Sequence, residues 1–391
     1  MWAGEADNLE TRAGNKKVEA KSKAPHAKPA YGPKVTATGS ALGGKTPEGL
    51  AVRTVSITSG YRVIREKFRE VASRHSIAGP SRRVELGSSL QRAEIFIRLT
   101  HALNKHPVFM KITFLGTAAA TSYPLAFCRC KFCNTARERG GKDFRKRSSV
   151  IVNDDLLIDM GPDIMSASFL YGKSIADIRY HLQTHSHSDH FDSQVFTTRS
   201  PEYRGVNTPR LQVYASTKTL ARMAEMVKND GYVNNFLEAT EQARMNLEVF
   251  PVKPFDSFKI GSYDATAFPT DHDTAVESLL WAITENDFTL FYGTDTDIIP
   301  EETWKGFHEK NLKFNVVVLD HTYGPDADSG GHLNANRFVQ QIQRMKVEEL
   351  LADHSRILAT HLSHEGNPPH AELSEYAAKF GYEIAYDGLV I

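Results

Sequence analysis

Tyr180-His-Leu-Gln-Thr184 reads as a β-strand, and it runs straight into His185-Ser-His187-Ser-Asp189-His190. After a strand, residues two apart point the same way, so His185 and His187 can grip one ion together. Asp189 and His190 follow as the chain turns and can face a second ion. Imidazole and carboxylate are the ligands expected of zinc, manganese or iron. Chance is the alternative. With 16 histidines in 391 residues, four such residues at fixed places arise by chance roughly once in a thousand chains, so the run reads as a metal site.

A hydrolytic centre needs more ligands than one loop supplies, and single His and Asp residues stand just after later strands. His272 follows Ala265-Thr-Ala-Phe268, Asp295 follows Phe288–Tyr292, and His361 follows Ile357-Leu-Ala-Thr360. Each alone reads as a surface turn residue; their repeated placement at strand ends makes them candidate ligands. A second signal is Cys128-x-Cys130-x-x-Cys133. Three thiolates at this spacing suit a tetrahedral zinc with one further ligand, for which His364 is a candidate. Inert core cysteines are the alternative, but Arg129, Lys131 and Asn134 make this a polar loop. Such a zinc ties this loop to the C-terminal strand region. His332, in the Gly-rich stretch before a helix, is a candidate proton donor, since histidine titrates near neutral pH; a solvent-exposed loop histidine is an equal reading.

Outward from these motifs, strands and helices follow in mixed order. Lys111-Ile-Thr-Phe-Leu-Gly116 alternates like a strand and ends at a glycine turn. Ser149–Asn153 and Leu156–Asp159 read as a hairpin across Asn153–Asp155. Leu211–Tyr214 is a strand, after which Ser216 or Thr217 caps a helix through Met226. Phe258–Phe268, Leu280–Thr284 and Phe288–Tyr292 alternate, Phe314–Leu319 is a buried strand, Asn334–Met345 is a helix, and Ile357–Thr360 and Tyr382–Tyr386 are late strands. Many strands with interspersed helices predict sheets packed with outer helices. There is no internal repeat.

Charge divides the chain. Of 47 basic and 47 acidic residues, 19 and 9 lie before Met110. Residues 1–50 are rich in Ala, Lys, Gly, Pro and Thr, a composition that cannot bury enough surface to order itself. Tyr61, Ile64, Phe68 and Val71 recur at the helical period, and Leu90–Leu103 is a second helical stretch. Residues 1–109 therefore read as a basic, largely disordered extension, and a start site assigned too far upstream would also produce it; a catalytic domain follows over 110–391. The acidic body argues against long nucleic acid as substrate. No apolar run approaches the roughly 18 residues of a membrane span. Three clustered cysteines are no disulfide framework and fit a reducing cytoplasm.

Together these residues resemble the metallo-β-lactamase superfamily, and within it the branch of phosphoribosyl 1,2-cyclic phosphate phosphodiesterase. The resemblance runs over Met110–Ile391: Phe114-Leu-Gly-Thr-Ala-Ala-Ala, the Cys128/Cys130/Cys133 cluster, Leu156-Leu-Ile-Asp159, the histidine run, Gly293-Thr-Asp295-Thr, Thr360-His361-Leu-Ser-His364 and Tyr386-Asp-Gly-Leu-Val-Ile391. A pyrroloquinoline-quinone biosynthesis protein has a similar cysteine cluster, so the cluster alone names no substrate. The resemblance implies an α+β fold, an αββα sandwich of two mixed sheets flanked by helices with the metals at one edge. It implies that His185, His187 and His272 hold one divalent ion (Zn or Mn), that Asp189, His190 and His361 hold the other, and that Asp295 bridges them. Asp159 would orient the histidine loop. The expected reaction is hydrolysis of a small or cyclic phosphate ester by a hydroxide bridging the ions, with Asp189 and Asp295 holding the catalytic pair and His332 protonating the leaving alkoxide or positioning the phosphate. Arg199 or Arg204 is a phosphate-binding candidate. Two rivals stand beside this reading: a carboxylic ester, thioester or lactone hydrolase of the same fold, and a non-catalytic biosynthetic or carrier protein. The expected partner is the small phosphate ester, with no membrane and with room for a homodimer.

Overall fold

A computed structural model describes residues 110–391 apart from Asp326 and Ser329. The basic segment 1–109, with its two expected helical stretches, lies outside the described residues.

The first sheet has six strands in sequence order: β1 (Ile112–Gly116), β2 (Ser149–Val152), β3 (Leu156–Ile158), β4 (Tyr180–Leu182), β5 (Leu211–Ser216) and β6 (Leu247–Val252). β1 to β3 pair antiparallel and β3 to β6 parallel. The β2–β3 hairpin turns on Asn153 and Asp154 at φ 49° and 70°, residue types that tolerate the left-handed region. Its helices are α1 (Lys131–Arg139), α2 (Ile164–Leu170), α3 (Ser193–Thr197), α4 (Thr217–Asn229) and α5 (Ala239–Arg244). Ser216 is the cap of α4, its Oγ accepting from the Thr219 N–H at 3.1 Å.

The second sheet has seven strands: β7 (Ser257–Ile260), β8 (Tyr263–Pro269), β9 (Leu279–Glu285), β10 (Phe288–Gly293), β11 (Phe314–Asp320), β12 (Leu351–Thr360) and β13 (Glu383–Ile384). β7 to β10 pair antiparallel and β10 to β13 parallel. Its helices are α6 (Glu301–Glu309), α7 (Ala335–Val347) and α8 (His370–Ala378). Phe338, Ile342 and Met345 form the buried stripe of α7, at the spacing an amphipathic helix requires.

Alternation along each strand assigns side chains to layers. Phe114, Val150, Ile158 and Leu182 point between the sheets, where they meet Trp281, Leu290, Val318 and Leu358. The residues next to them point outward. Leu115, Ile151 and Leu157 join Phe196, Leu220 and Met223 under the first helical layer, and Phe291, Val317 and Ala359 join Trp304, Phe307 and Phe338 under the second. The result is an α+β sandwich of two mixed sheets flanked by helices, with one apolar core between the sheets and one under each helical layer.

Candidate metal centre

The topology brings the chemistry to one edge. β10, β11 and β12 run parallel, and β8 runs the same way because two antiparallel pairings separate it from β10. Their C-terminal ends carry Asp295, Asp320, His361 and His272. On the first sheet, the parallel strands β3 and β4 lead into Asp159 and the loop His185–His190. Asp159, Asp295 and His361 take φ of 57°, 55° and 60° as the chain leaves its strand. Each such residue costs about 1–3 kcal/mol and persists only where its surroundings fix it. Here the backbone N–H of Asp159 donates to Leu182 O and that of Asp295 to Asp320 Oδ2 at 3.0 Å. Gly161 serves the same loop by absence: a Cβ there would lie 2.6 Å from the Asp189 carbonyl oxygen.

Two groups of donor atoms result, His185 with His187 and His272, and Asp189 with His190, Asp295 and His361. His272 Nε2 lies 3.3 Å from His187 Nδ1. His190 Nε2 lies 3.1 Å from His361 Nε2 and 2.9 Å from Asp295 Oδ2. Asp295 reaches toward the other group through Oδ1, 3.5 Å from His272 Nε2 and 3.8 Å from His185 Nε2.

The outer hydrogen bonds fix which ring nitrogens carry protons. His187 donates from Nε2 to Asp273 at 2.9 Å, His272 from Nδ1 to the Gly331 carbonyl at 2.9 Å, and His190 from Nδ1 to Asp159 at 2.7 Å. His361 Nδ1 is 2.9 Å from Thr322 Oγ1. In their neutral forms these rings therefore turn lone pairs toward one another. His185 Nε2 is buried with no hydrogen-bond partner at all. Converging lone pairs and an orphaned imidazole nitrogen fit divalent cations, and the His/Asp donor set suits zinc or manganese.

Electrostatics agree. Asp159, Asp189, Asp295 and Asp320 are all buried. Burial works against their ionisation, yet the facing histidines, His190 foremost for both, hold Asp189 and Asp295 well below the usual carboxylate range. Burial also opposes charge on His361, but Asp295, Asp189 and Asp320 outweigh it and push it up to about 10. In the bare protein, protons on histidine stand where cations would balance these carboxylates; ligands that bind a metal must give such protons up.

His332 sits beside this cluster on the loop before α7. Its Nδ1 donates to Asp320 Oδ2 at 2.9 Å and lies 4.0 Å from Asp295 Oδ1. Its ring stacks on His361 at 5.3 Å between centroids. Asp320, Asp295, His332 and His361 form a further donor group. However, the Asp320 carboxylate already accepts from the backbone N–H groups of Asp295, Thr322 and Leu333. It is a positioning hub, and the orphaned imidazole nitrogen, His185 Nε2, lies in the first group.

Away from this edge, Cys128, Cys130, Cys133 and His364 converge. His364 Nδ1 is 3.8 Å from Cys128 Sγ and 3.6 Å from Cys130 Sγ. A tetrahedral zinc with ordinary Zn–S and Zn–N bonds has an S···N edge of about 3.6 Å, so the spacing fits. Cys130 is also the N-cap of α1, its sulfur accepting from the Cys133 N–H. Burial opposes a Cys130 thiolate, but that N–H and the His364 contact draw its thiol down to about 6.

Arg199 does not join the metal edge. Its guanidinium donates to the carbonyls of Pro209 and Asn246, both at 2.8 Å. Arg204 is exposed. Sequence reasoning assigns no role to two carboxylates of the site: Asp273, which orients His187, and Asp320, which organises Asp295, His332 and His361. Both had a signal, a carboxylate directly after a strand-end histidine and an Asp closing a buried apolar strand. Neither signal states its partner.

Comparison with known proteins adds three structures. At 22% identity and a TM-score of 0.56, a diphosphatase of the PhnP family superposes on 72% of this chain and 96% of its own. Zinc-bound PqqB from Methylobacterium extorquens is 18% identical with a TM-score of 0.53, covering 72% and 99%. Yeast PDE1 is 13% identical with a TM-score of 0.50, covering 72% and 98%. No curated protein matches by sequence. Among the described residues, no helix is long and apolar enough to cross a membrane. The sequence profile described as Beta-lactamase superfamily domain matches residues 155–355, from the hairpin before the histidine loop into β12. That match takes in more than half of the chain, and on it this protein belongs to the beta-lactamase superfamily and to its metallo-β-lactamase-fold hydrolases.

Proposed function

We propose that this chain is a dinuclear-metal-dependent phosphodiesterase acting on a small or cyclic phosphate ester. The observation that carries the reading is His332, a side-chain-to-carboxylate-anchored imidazole 4.0 Å from Asp295 at the edge of the cluster. His185, His187 and His272 would hold one divalent ion, zinc or manganese, and Asp189, His190 and His361 the other, with Asp295 touching both. When bound, such a pair supplies a water of lowered pKa and neutralises charge on phosphoryl oxygens. Asp159 and Asp273 keep the ligand rings in register through the hydrogen bonds described above. His332 has Nδ1 committed to Asp320, so its Nε2 is the atom that gives a proton to the leaving alkoxide or holds a phosphate oxygen. Its side chain is 17% exposed, within reach of a substrate. The fold likeness to a diphosphatase supports phosphoryl chemistry. The cysteine cluster with His364 would hold a structural zinc. Free thiols fit a reducing cytoplasm, and the acidic body fits a small-molecule substrate rather than nucleic acid.

A hydrolysis screen on metal-loaded protein tests this. Turnover of phosphodiesters well above that of phosphomonoesters, thioesters and lactones is the expected result. Preferred cleavage of thioesters or lactones overturns it in favour of attack at a carbonyl, and metal binding without any turnover overturns it in favour of a carrier.

A further inference from the structure

Arg199 has an unusual setting for a surface arginine. It lines a cavity of about 270 Å3 behind the first sheet, walled by Leu157, Met160, Ile178, Phe196 and Leu211. Those five side chains are buried, and exposed Ala176, Thr198, Gly205 and Thr208 form the mouth. Arg199 Nε is buried and has no hydrogen-bond partner, and no carboxylate among the described residues pairs with the guanidinium, whose contacts are the two carbonyls. A desolvated cation without an anion is costly. His181 is not among the residues that line the cavity, but it stands beside Leu157, which is. It is the register partner of Leu157 on β4, so its side chain leaves the same face of the sheet. It is fully buried with neither ring nitrogen hydrogen-bonded. An apolar chamber thus carries one guanidinium N–H, that of Arg199 Nε, that the protein itself does not use.

We propose that this cavity is a second binding site, for a small amphiphilic monocarboxylate. The carboxylate sits on the Arg199 guanidinium at Nε, and the hydrocarbon tail lies among Leu157, Phe196 and Leu211. The volume suits a small guest, since drug-sized pockets run to roughly 300–1,000 Å3. The site also adjoins the metal edge through the backbone. The Met160 N–H donates to the His190 carbonyl at 2.8 Å, and the Met160 carbonyl accepts from Asp192, the cap of α3, at 2.7 Å. A guest packed on Met160 and Phe196 braces the loop that carries His185–His190.

Titration calorimetry on the full chain with octanoate and with octan-1-ol tests the proposal. Octanoate should bind one saturable site, and octan-1-ol about tenfold or more weakly, because a charge-assisted hydrogen bond is lost. Val195→Trp fills the cavity from α3 while leaving the Arg199 side chain in the protein, and should abolish both. Arg199→Gln should bring octanoate down to the affinity of octan-1-ol; if that variant fails to fold through loss of its carbonyl contacts, Val195→Trp carries the test alone. Absence of saturable octanoate binding, equal affinity for acid and alcohol, or octanoate binding that survives Val195→Trp, as binding at the metal edge would, overturns it.

Discussion

Asp189 and Asp273 stand on opposite sides of the metal cluster, and their removal should fail in different ways. Asp189 belongs to the donor group with His190 and His361. Asp189→Ala should lose one ion per chain and most activity while the circular dichroism of the fold persists; full turnover would sink the two-metal mechanism. Asp273 is a member of neither donor group; its carboxylate holds the His187 ring and accepts from the Ala275 N–H. Asp273→Ala should weaken metal affinity about 10–100-fold, read by chelator competition, with activity restored at high metal; unchanged affinity would leave the carboxylate as a surface group. His332 is separated from both by its reaction. His332→Ala should hurt esters with poor leaving groups far more than activated aryl esters, which need little protonation. An equal loss on both would remove the acid role and leave phosphate positioning. The candidate ligands were legible because His and Asp after a strand are rare and point out of the ladder. Their orienting partners were not: Thr322, Gly331 and Asp320 meet their histidines across distances that no local spacing encodes.

At the scale of elements, the loop Cys128–Cys133 and α1 have little apolar surface to hold them: Cys133 and Ala136 are the buried residues of the helix. A zinc shared with His364 would do that work. Cys130→Ser should release about one zinc per chain and lower the melting temperature; unchanged zinc content and stability would return these residues to ordinary thiols. Strands such as Phe314–Asp320 were legible as apolar runs because both of their faces are covered. For the same reason, which residues face which layer was not: Val317 and Val318 look alike in sequence yet belong to different cores. Phe258–Phe268 reads as one alternating stretch, but Gly261 at φ 57° folds it into β7 and β8. Short α3 and α5 gave no periodic signal, because five or six residues hold less than two turns.

Across the whole molecule, the packing between the sheets closes with residues from 110 onward. Ile112 of β1 exchanges backbone hydrogen bonds with Ile391, Phe114 donates to Leu389 and accepts from Gly388, and Met110 is buried in the same core. Every proposed ligand lies after Met110 as well. A chain beginning at Met110 should therefore fold, bind its metals and keep the full-length turnover rate. Insolubility or inactivity of that chain while the full one works would make residues 1–109 a structural part of the enzyme. The sandwich itself was legible through family resemblance rather than periodicity, since alternating strands and helices admit several layer orders.

The two halves of the metal edge are far apart in time as well as in sequence. His190 and His361, 3.1 Å apart in the folded protein, are separated by 171 residues. At roughly 5–20 residues per second of synthesis, the nascent chain carries its histidine loop for on the order of ten to thirty seconds before His361 exists. During that interval the loop can offer an ion only part of a cage. A metal pair held by these residues would therefore load late, after translation, into a finished sandwich.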